Sequence, residues 1–215
     1  AEWIRSGIIG EVTEVHCWTD RPIWPQGFSE PNGTPKCPKT LDWNLWIGSA
    51  KMRPYNEAYT PWNWRGFWDF GTGALGDMAC HIMDPLYWAL DLKYPTSVIG
   101  SSTLSNLYSP PQAQIVTYTF PARKPKGEVK MPEVKVLWYD GGLLPERPSE
   151  LKDGEMMGDE NGGIIFVGSK GKIMTGCYGM NPTLLPKSAM NHFKQPEPTI
   201  RRIKGGNGDI WNTNA

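Results

Sequence analysis

Charge of one sign, cysteine and long apolar runs are all scarce in this sequence. The 22 basic and 22 acidic residues cancel to a formal net charge of zero, and no block of like charges occurs. Nucleic acid and anionic membrane surfaces are gripped by clustered positive charge, so neither has an electrostatic footprint here. No apolar stretch approaches the roughly 18 residues a spanning helix needs, which excludes a transmembrane segment of that kind. The cysteines, Cys17, Cys37, Cys80 and Cys177, are too scattered for a disulfide scaffold. None forms a CxxC pair, so a zinc site is unsupported and no metal is expected. Free, partly buried thiols are the expectation, and the spacing leaves one incidental disulfide open. The chain opens Ala-Glu-Trp, with no Met and no charged-then-apolar leader pattern, which reads as a mature product or an excised fragment.

What is present in quantity is aromatic and turn-forming. The 215 residues include 11 Trp, 24 Gly and 20 Pro, with 39% hydrophobic content. That length buries a sizeable core in one large domain or two small ones. Composition points to a loop-rich protein lined with aromatic rings.

Organisation along the chain follows from periodicity. Val12 to Trp18 alternates with β-branched residues and reads as a strand. Residues 20–70 dissolve into Pro, Gly, Asn and aromatics, in runs such as Arg21-Pro-Ile-Trp-Pro-Gln-Gly27 and Pro61-Trp-Asn-Trp-Arg-Gly-Phe-Trp-Asp-Phe70. A structureless stretch of this length is functional or disordered, and disorder is poor in aromatics. An ordered aromatic loop is therefore expected, with one short helix over Leu41 to Ile47. Residues 73–92 carry a helical signal, with Leu75, Ala79, Ile82 and Leu86 recurring near the 3.6 period. Pro85 makes this either one kinked helix or two abutting ones, Asp84-Pro85 serving as cap and first position of the second. Short strands follow over residues 97–176: Ser97 to Thr103, Ala113 to Phe120, Val134 to Tyr139, Gly163 to Val167 and Lys172 to Thr175. Gly168-Ser-Lys-Gly171 reads as a hairpin turn. Successive strands without intervening helices predict an antiparallel meander and an α+β class, with helices on one face of an open sheet. After Gly176 the chain turns polar, and Gly205-Gly-Asn-Gly208 precedes an end with no closing element.

The residues able to carry chemistry centre on Asp77-Met-Ala-Cys-His81. Four residues apart on a helix, Asp77 and His81 share one face, and a carboxylate near an imidazole orients it for proton exchange with a hydroxyl. An ordinary surface Asp–His pair has the same spacing. The preceding Gly71-Thr-Gly-Ala-Leu-Gly76 permits close backbone approach. That run matches the letters GxGxxG, yet it follows Trp-Asp-Phe rather than a buried strand, so no dinucleotide fingerprint is assigned. In the aromatic loop, indole faces suit the C–H faces of sugars, and Arg21, Asn63, Arg65 and Asp69 suit hydroxyls. Most of these rings are expected in the core. His16 and His192 have no obvious partner.

Gly73-Ala-Leu-Gly-Asp-Met-Ala-Cys-His81, followed by Asp84 and Trp88-Ala-Leu90, resembles the glucose–fructose oxidoreductase, inositol dehydrogenase and MocA (Gfo/Idh/MocA) family. The resemblance extends to Ile8-Ile-Gly-Glu-Val12, Trp18-Thr-Asp-Arg-Pro-Ile-Trp-Pro-Gln-Gly27 and Trp64-Arg-Gly-Phe-Trp-Asp-Phe-Gly-Thr-Gly73, and more weakly to Gly163-Ile-Ile-Phe-Val-Gly168 and Tyr178-Gly-Met-Asn-Pro182. It implies that residues 1–215 are the C-terminal substrate and oligomerisation domain, truncated at both ends, of an NAD(P)-dependent enzyme acting on a sugar or polyol. NAD or NADP would be held by an N-terminal Rossmann domain with a catalytic Glu-Lys-Pro, and this chain contains neither. His81 would be the acid/base and Asp77 its assistant; Arg65, Trp68, Trp24 and Tyr178 would contact substrate. A homo-oligomer formed through the sheet is implied, in a cytoplasmic or exported setting. Two other readings stay open: an NAD-dependent glycosidase of the same superfamily, and a non-catalytic carbohydrate-binding or assembly module.

Overall fold

A computed structural model describes residues 1–201. Its centre is a seven-stranded sheet that the sequence builds in two passes. The first strand, β1 (Val12–Thr19), buries Val12, Val15 and Cys17 on one face. These are not evenly spaced; an irregularity between Val12 and Glu14 resets the alternation so that both valines face inward. The remaining strands come after residue 96: β2 (Ser97–Ser102), β3 (Gln114–Phe120), β6 (Val134–Tyr139), β7 (Gly162–Gly168), β8 (Gly171–Gly176) and β9 (Thr183–Leu185). A separate two-stranded hairpin, β4 (Arg123–Lys126) with β5 (Val129–Met131), stands apart.

The spatial order is β2-β3-β6-β1-β7-β8-β9. Every pairing is antiparallel except β1 with β6, which is parallel. The strand segments of 97–176 are therefore not a simple meander. β1 inserts between β6 and β7, because its two apolar flanks extend both half-sheets into one core. Gly168 pairs with Gly171, placing the hairpin turn at Ser169-Lys170. The polar tail also contributes more than expected, since β9 extends the sheet beyond β8. The Gly205–Gly208 segment and the terminus lie outside the described residues.

Helices pack on one face of the sheet: α1 (Glu2–Arg5), α3 (Gly73–Ile82) and α4 (Asp84–Leu90). Met78, Ile82, Leu86 and Leu90 from these helices join Val15, Cys17, Val136, Trp138 and Phe166 in the main core. The helical signal over 73–92 resolves into α3 and α4, joined at Met83. Met83, not Asp84, is the cap residue, and Pro85 sits in the first turn of α4, where its missing N–H deprives the helix of no bond. Arg5 and Arg123 donate to the carbonyls of Ala89 and Leu90 at the other end of α4. On the opposite sheet face, Trp18, Tyr139, Ile165 and Met174 are covered by Leu151 and Met157. The half nearer β2 is open: Ile99 is 66% exposed. Among the described residues no helix is long and apolar enough to cross a membrane.

Residues 20–70 are ordered by capping and ring packing rather than by strands. Helix α2 (Trp43–Ile47) starts where Asp42 accepts from the Leu45 N–H. Asn56 caps the next turn and also donates to the carbonyls of Asn32 and Gly33. Trp43 stacks on Trp46 at 4.7 Å, and Tyr59 meets both Phe67 and Phe70 edge-on. Ser109, fully buried, braces two segments of this loop, accepting from the Gly27 N–H and donating to the Gly66 carbonyl, both at 2.6 Å. All four cysteines are free thiols.

Candidate functional site

Two glycines fold the aromatic loop back on itself just before α3. A Cβ at Gly66 would lie 2.1 Å from the Pro25 carbonyl oxygen, and one at Gly71 would lie 2.6 Å from the Arg65 Cα. Only glycine permits these approaches, which fold residues 63–71 back onto residues 24–27. Gly76 is similarly closed by Thr72, with a would-be Cβ 1.9 Å from its hydroxyl oxygen. The glycines of the 71–76 run are thus spent on internal packing. No strand leads into α3, so this turn is no dinucleotide cradle.

Arg65 is the centre of the assembly. Its guanidinium lies 4.1 Å from the Trp62 ring centroid, 4.4 Å from Trp64 and 5.8 Å from Trp24. Its Nε is 3.4 Å from the Asp77 carboxylate. The expected partnership of Asp77 with His81 is therefore not the one Asp77 makes. Helical side chains lean toward the N-terminal end, which carries the Asp77 carboxylate away from His81 and toward the glycine corner where Arg65 waits.

His81 is exposed, one turn further along α3, and meets the Tyr178 ring edge-on at 5.5 Å. Tyr178 occupies the left-handed region at φ 65°, a conformation that costs a non-glycine residue roughly 1–3 kcal/mol. Gly179 beside it, also at positive φ, lets the turn nest on Pro85 at the start of α4. That turn is what delivers the Tyr178 ring to His81. Burial holds the Tyr178 phenol above its ordinary pKa, and neighbouring Cys177 adds to this. Burial likewise pushes the Cys177 thiol up to about 11, with the Asp159 carboxylate contributing. Both groups stay protonated at neutral pH, and the Tyr178 phenol is hydrogen-bonded to Cys177.

The remaining expected contacts divide. Trp24 is buried, donates to the Gln26 side chain at 3.0 Å and meets Trp62 at 6.4 Å, so it belongs to the Arg65 group. It also lines a cavity of about 600 Å³ with Asp20, Gln26, Phe28 and Gly141. Trp68 is exposed and tied elsewhere, its indole donating to the Asn106 carbonyl at 3.2 Å. The structure thus gathers Arg65, Trp24 and Asp77 in one cluster and His81 with Tyr178 in a second, both carried by α3. Neither Asp77 nor His81 lines the cavity that Trp24 lines. No group of His, Cys, Asp and Glu suited to a metal ion occurs among the described residues.

Sequence reasoning did not single out Trp62 and Trp64 as the plates enclosing Arg65. The alternation Trp62-Asn-Trp-Arg65 held that signal, because a tight turn brings residues this close in sequence around one cation. It also missed the Arg53–Asp69 ion pair, which spans 16 residues of irregular chain.

Residues 12–104 match the family model described as "Oxidoreductase family, C-terminal alpha/beta domain", that of the Gfo/Idh/MocA oxidoreductases. The matched span runs from β1 through β2 and contains Trp24, Arg65, Trp68, Asp77 and His81, while Tyr178 lies beyond it. No curated protein shows a significant match to the chain.

Proposed function

Because residues 12–104 match the family model of the Gfo/Idh/MocA oxidoreductase C-terminal domain, we propose that the chain is the substrate-side part of an NAD(P)-dependent enzyme oxidising or reducing a sugar or polyol hydroxyl. The observation that carries the reading is α3 itself. Inside the matched span, one helix presents an exposed imidazole, met from outside that span by the Tyr178 ring, and, one turn away, a carboxylate holding a ring-stacked guanidinium.

In this reading the nicotinamide supplies hydride transfer. The 71–76 glycines do not fit its phosphates, since they are closed by their own chain. His81 takes or returns the substrate hydroxyl proton, and Tyr178, whose ring packs edge-on against the imidazole, contacts substrate beside it. Asp77 holds Arg65 by its Nε, fixing the guanidinium so that a remaining N–H can orient a second hydroxyl. Sugar rings suit the neighbouring indoles, whose faces are apolar and whose edges are polar. Homo-oligomerisation through the open half of the sheet belongs to the same proposal.

In the full-length enzyme, His81→Ala is expected to lower turnover about 10²–10⁴-fold while NAD(P) binding, followed by nicotinamide fluorescence, is nearly unchanged. Unaltered turnover would remove His81 from the chemistry. A net hydrolytic reaction is distinguished by its products: steady-state accumulation of reduced nicotinamide supports the redox reading, and its absence during glycoside cleavage supports hydrolysis.

A further inference from the structure

A second cavity, of about 590 Å³, opens between α2 with the residues after it and the segment leading to α3; Trp46, Ser49, Trp64, Asp69 and Phe70 are among its walls. Its volume falls within the range of roughly 300–1,000 Å³ typical of small-molecule sites. Neither His81, Tyr178, Asp77 nor Arg65 lines it, yet it shares a wall with them. Trp64 faces this cavity and also stacks on Arg65, which holds Asp77.

The wall chemistry discriminates among ligand classes. Trp46 is held from behind by Trp43, stacked at 4.7 Å and 11° from parallel, and edge-to-face by Phe70 at 4.8 Å. Trp64 is held by the Arg65 guanidinium at 4.4 Å. Two fixed, half-exposed indoles are a platform prepared before any ligand arrives. Trp24, Trp43, Trp68 and Trp138 commit their indole N–H groups to protein acceptors. Those of Trp46 and Trp64 meet no acceptor among the described residues and remain available as donors. Asp69 and the Ser49 hydroxyl add an acceptor and a donor–acceptor.

An aromatic pocket with a carboxylate would also suit an organic cation. Here Asp69 is already ion-paired with Arg53, whose guanidinium lies 5.3 Å from the Phe70 ring centroid, so the charge is spent and a cation would meet repulsion. No Lys or Arg lines the cavity to hold an anion. A neutral, polyhydroxylated ring satisfies every wall: C–H faces against indoles, hydroxyls against Asp69, Ser49 and the free indole N–H groups.

We propose that this cavity is a carbohydrate subsite for a sugar ring next to the one that reacts, so that the substrate is a glycoside or oligosaccharide rather than a free monosaccharide. The proposal rests on the reading of α3 as the reacting end. Calorimetric titration of the chain with glucose, cellobiose and maltose tests it. At least one disaccharide should bind about tenfold or more tightly than glucose. Trp46→Ala and the cavity-filling Ser49→Trp should each abolish that preference, and Trp46→Phe should retain most of it. Should Trp46→Ala fail to fold by circular dichroism, Ser49→Trp decides alone. Equal affinity for all three sugars, no binding of any, or a disaccharide preference untouched by Ser49→Trp overturns the subsite. The two proposals fail separately: Trp46-dependent binding together with full turnover in His81→Ala removes the catalytic reading and leaves the subsite.

Discussion

A buried carboxylate shows how single residues tie neighbouring strands β3 and β6 together. Asp140 is fully buried at the end of β6 with no cation beside it. It accepts from the Gln114 backbone N–H at 3.0 Å, the Gln114 side chain at 2.9 Å and the Trp138 indole at 2.9 Å. Burial raises its pKa, against the lowering effect of those donors. A carboxyl whose native pKa is raised stabilises the fold fully below its unfolded value near 3.8 and loses that contribution as pH rises through the native value. Asp140→Asn places an amide NH₂ against two donors, and should cost about 1–3 kcal/mol. Thermal melts across this window should show the gap between wild type and variant narrowing as pH rises. A gap that widens with pH would mean Asp140 is held more easily charged than neutral.

Among elements, the decisive one is the aromatic loop, which has no strands, one short α-helix and two 3-10 turns yet sets the position of Arg65. Its fold depends on a backbone approach at Gly66, where any Cβ meets the Pro25 carbonyl at 2.1 Å. A backbone oxygen cannot swing aside as a side chain could. Gly66→Ala should therefore destabilise the chain by about 1–3 kcal/mol and lower its melting temperature by several degrees. It should also loosen the stacking of Arg65 on Trp62 and Trp64, visible as altered tryptophan fluorescence before unfolding. A melting temperature equal to wild type would show that the two segments are free to part. The 71–76 glycines were legible as sites of close approach, because a GxG-rich corner next to bulky rings has few other uses. The close approach at Gly66 was not, since its partner Pro25 lies tens of residues away and nothing in spacing announces the pairing.

For the molecule as a whole, the two faces of the sheet are unequal. One is sealed by α1, α3 and α4; the other is sealed only near β7 and β8 by Leu151 and Met157. Toward β2 it offers Ile99, Ile115 and Leu137, exposed or half-buried. If this open half is the self-association surface, wild type should sediment as a dimer or larger at micromolar concentration and Leu137→Lys as a monomer. A wild type that stays monomeric throughout would assign the face another role.

Local pattern was enough for several features of this chain. Period-two runs marked strands such as Val134–Tyr139, the 3.6 period and Pro85 marked the α3–α4 pair, and the motif ending at His81 carried the family resemblance. These are short-range signals, because backbone periodicity and proline sterics act within a few residues. Only the tertiary structure decided that β1 lies parallel to β6 between the two half-sheets, that Asp77 holds Arg65 instead of His81, and that Tyr178 rather than Trp68 reaches the imidazole. Each of those outcomes is a contact between segments distant in sequence. Such contacts are set by which apolar faces and charges can be satisfied together in three dimensions, and linear spacing does not encode that.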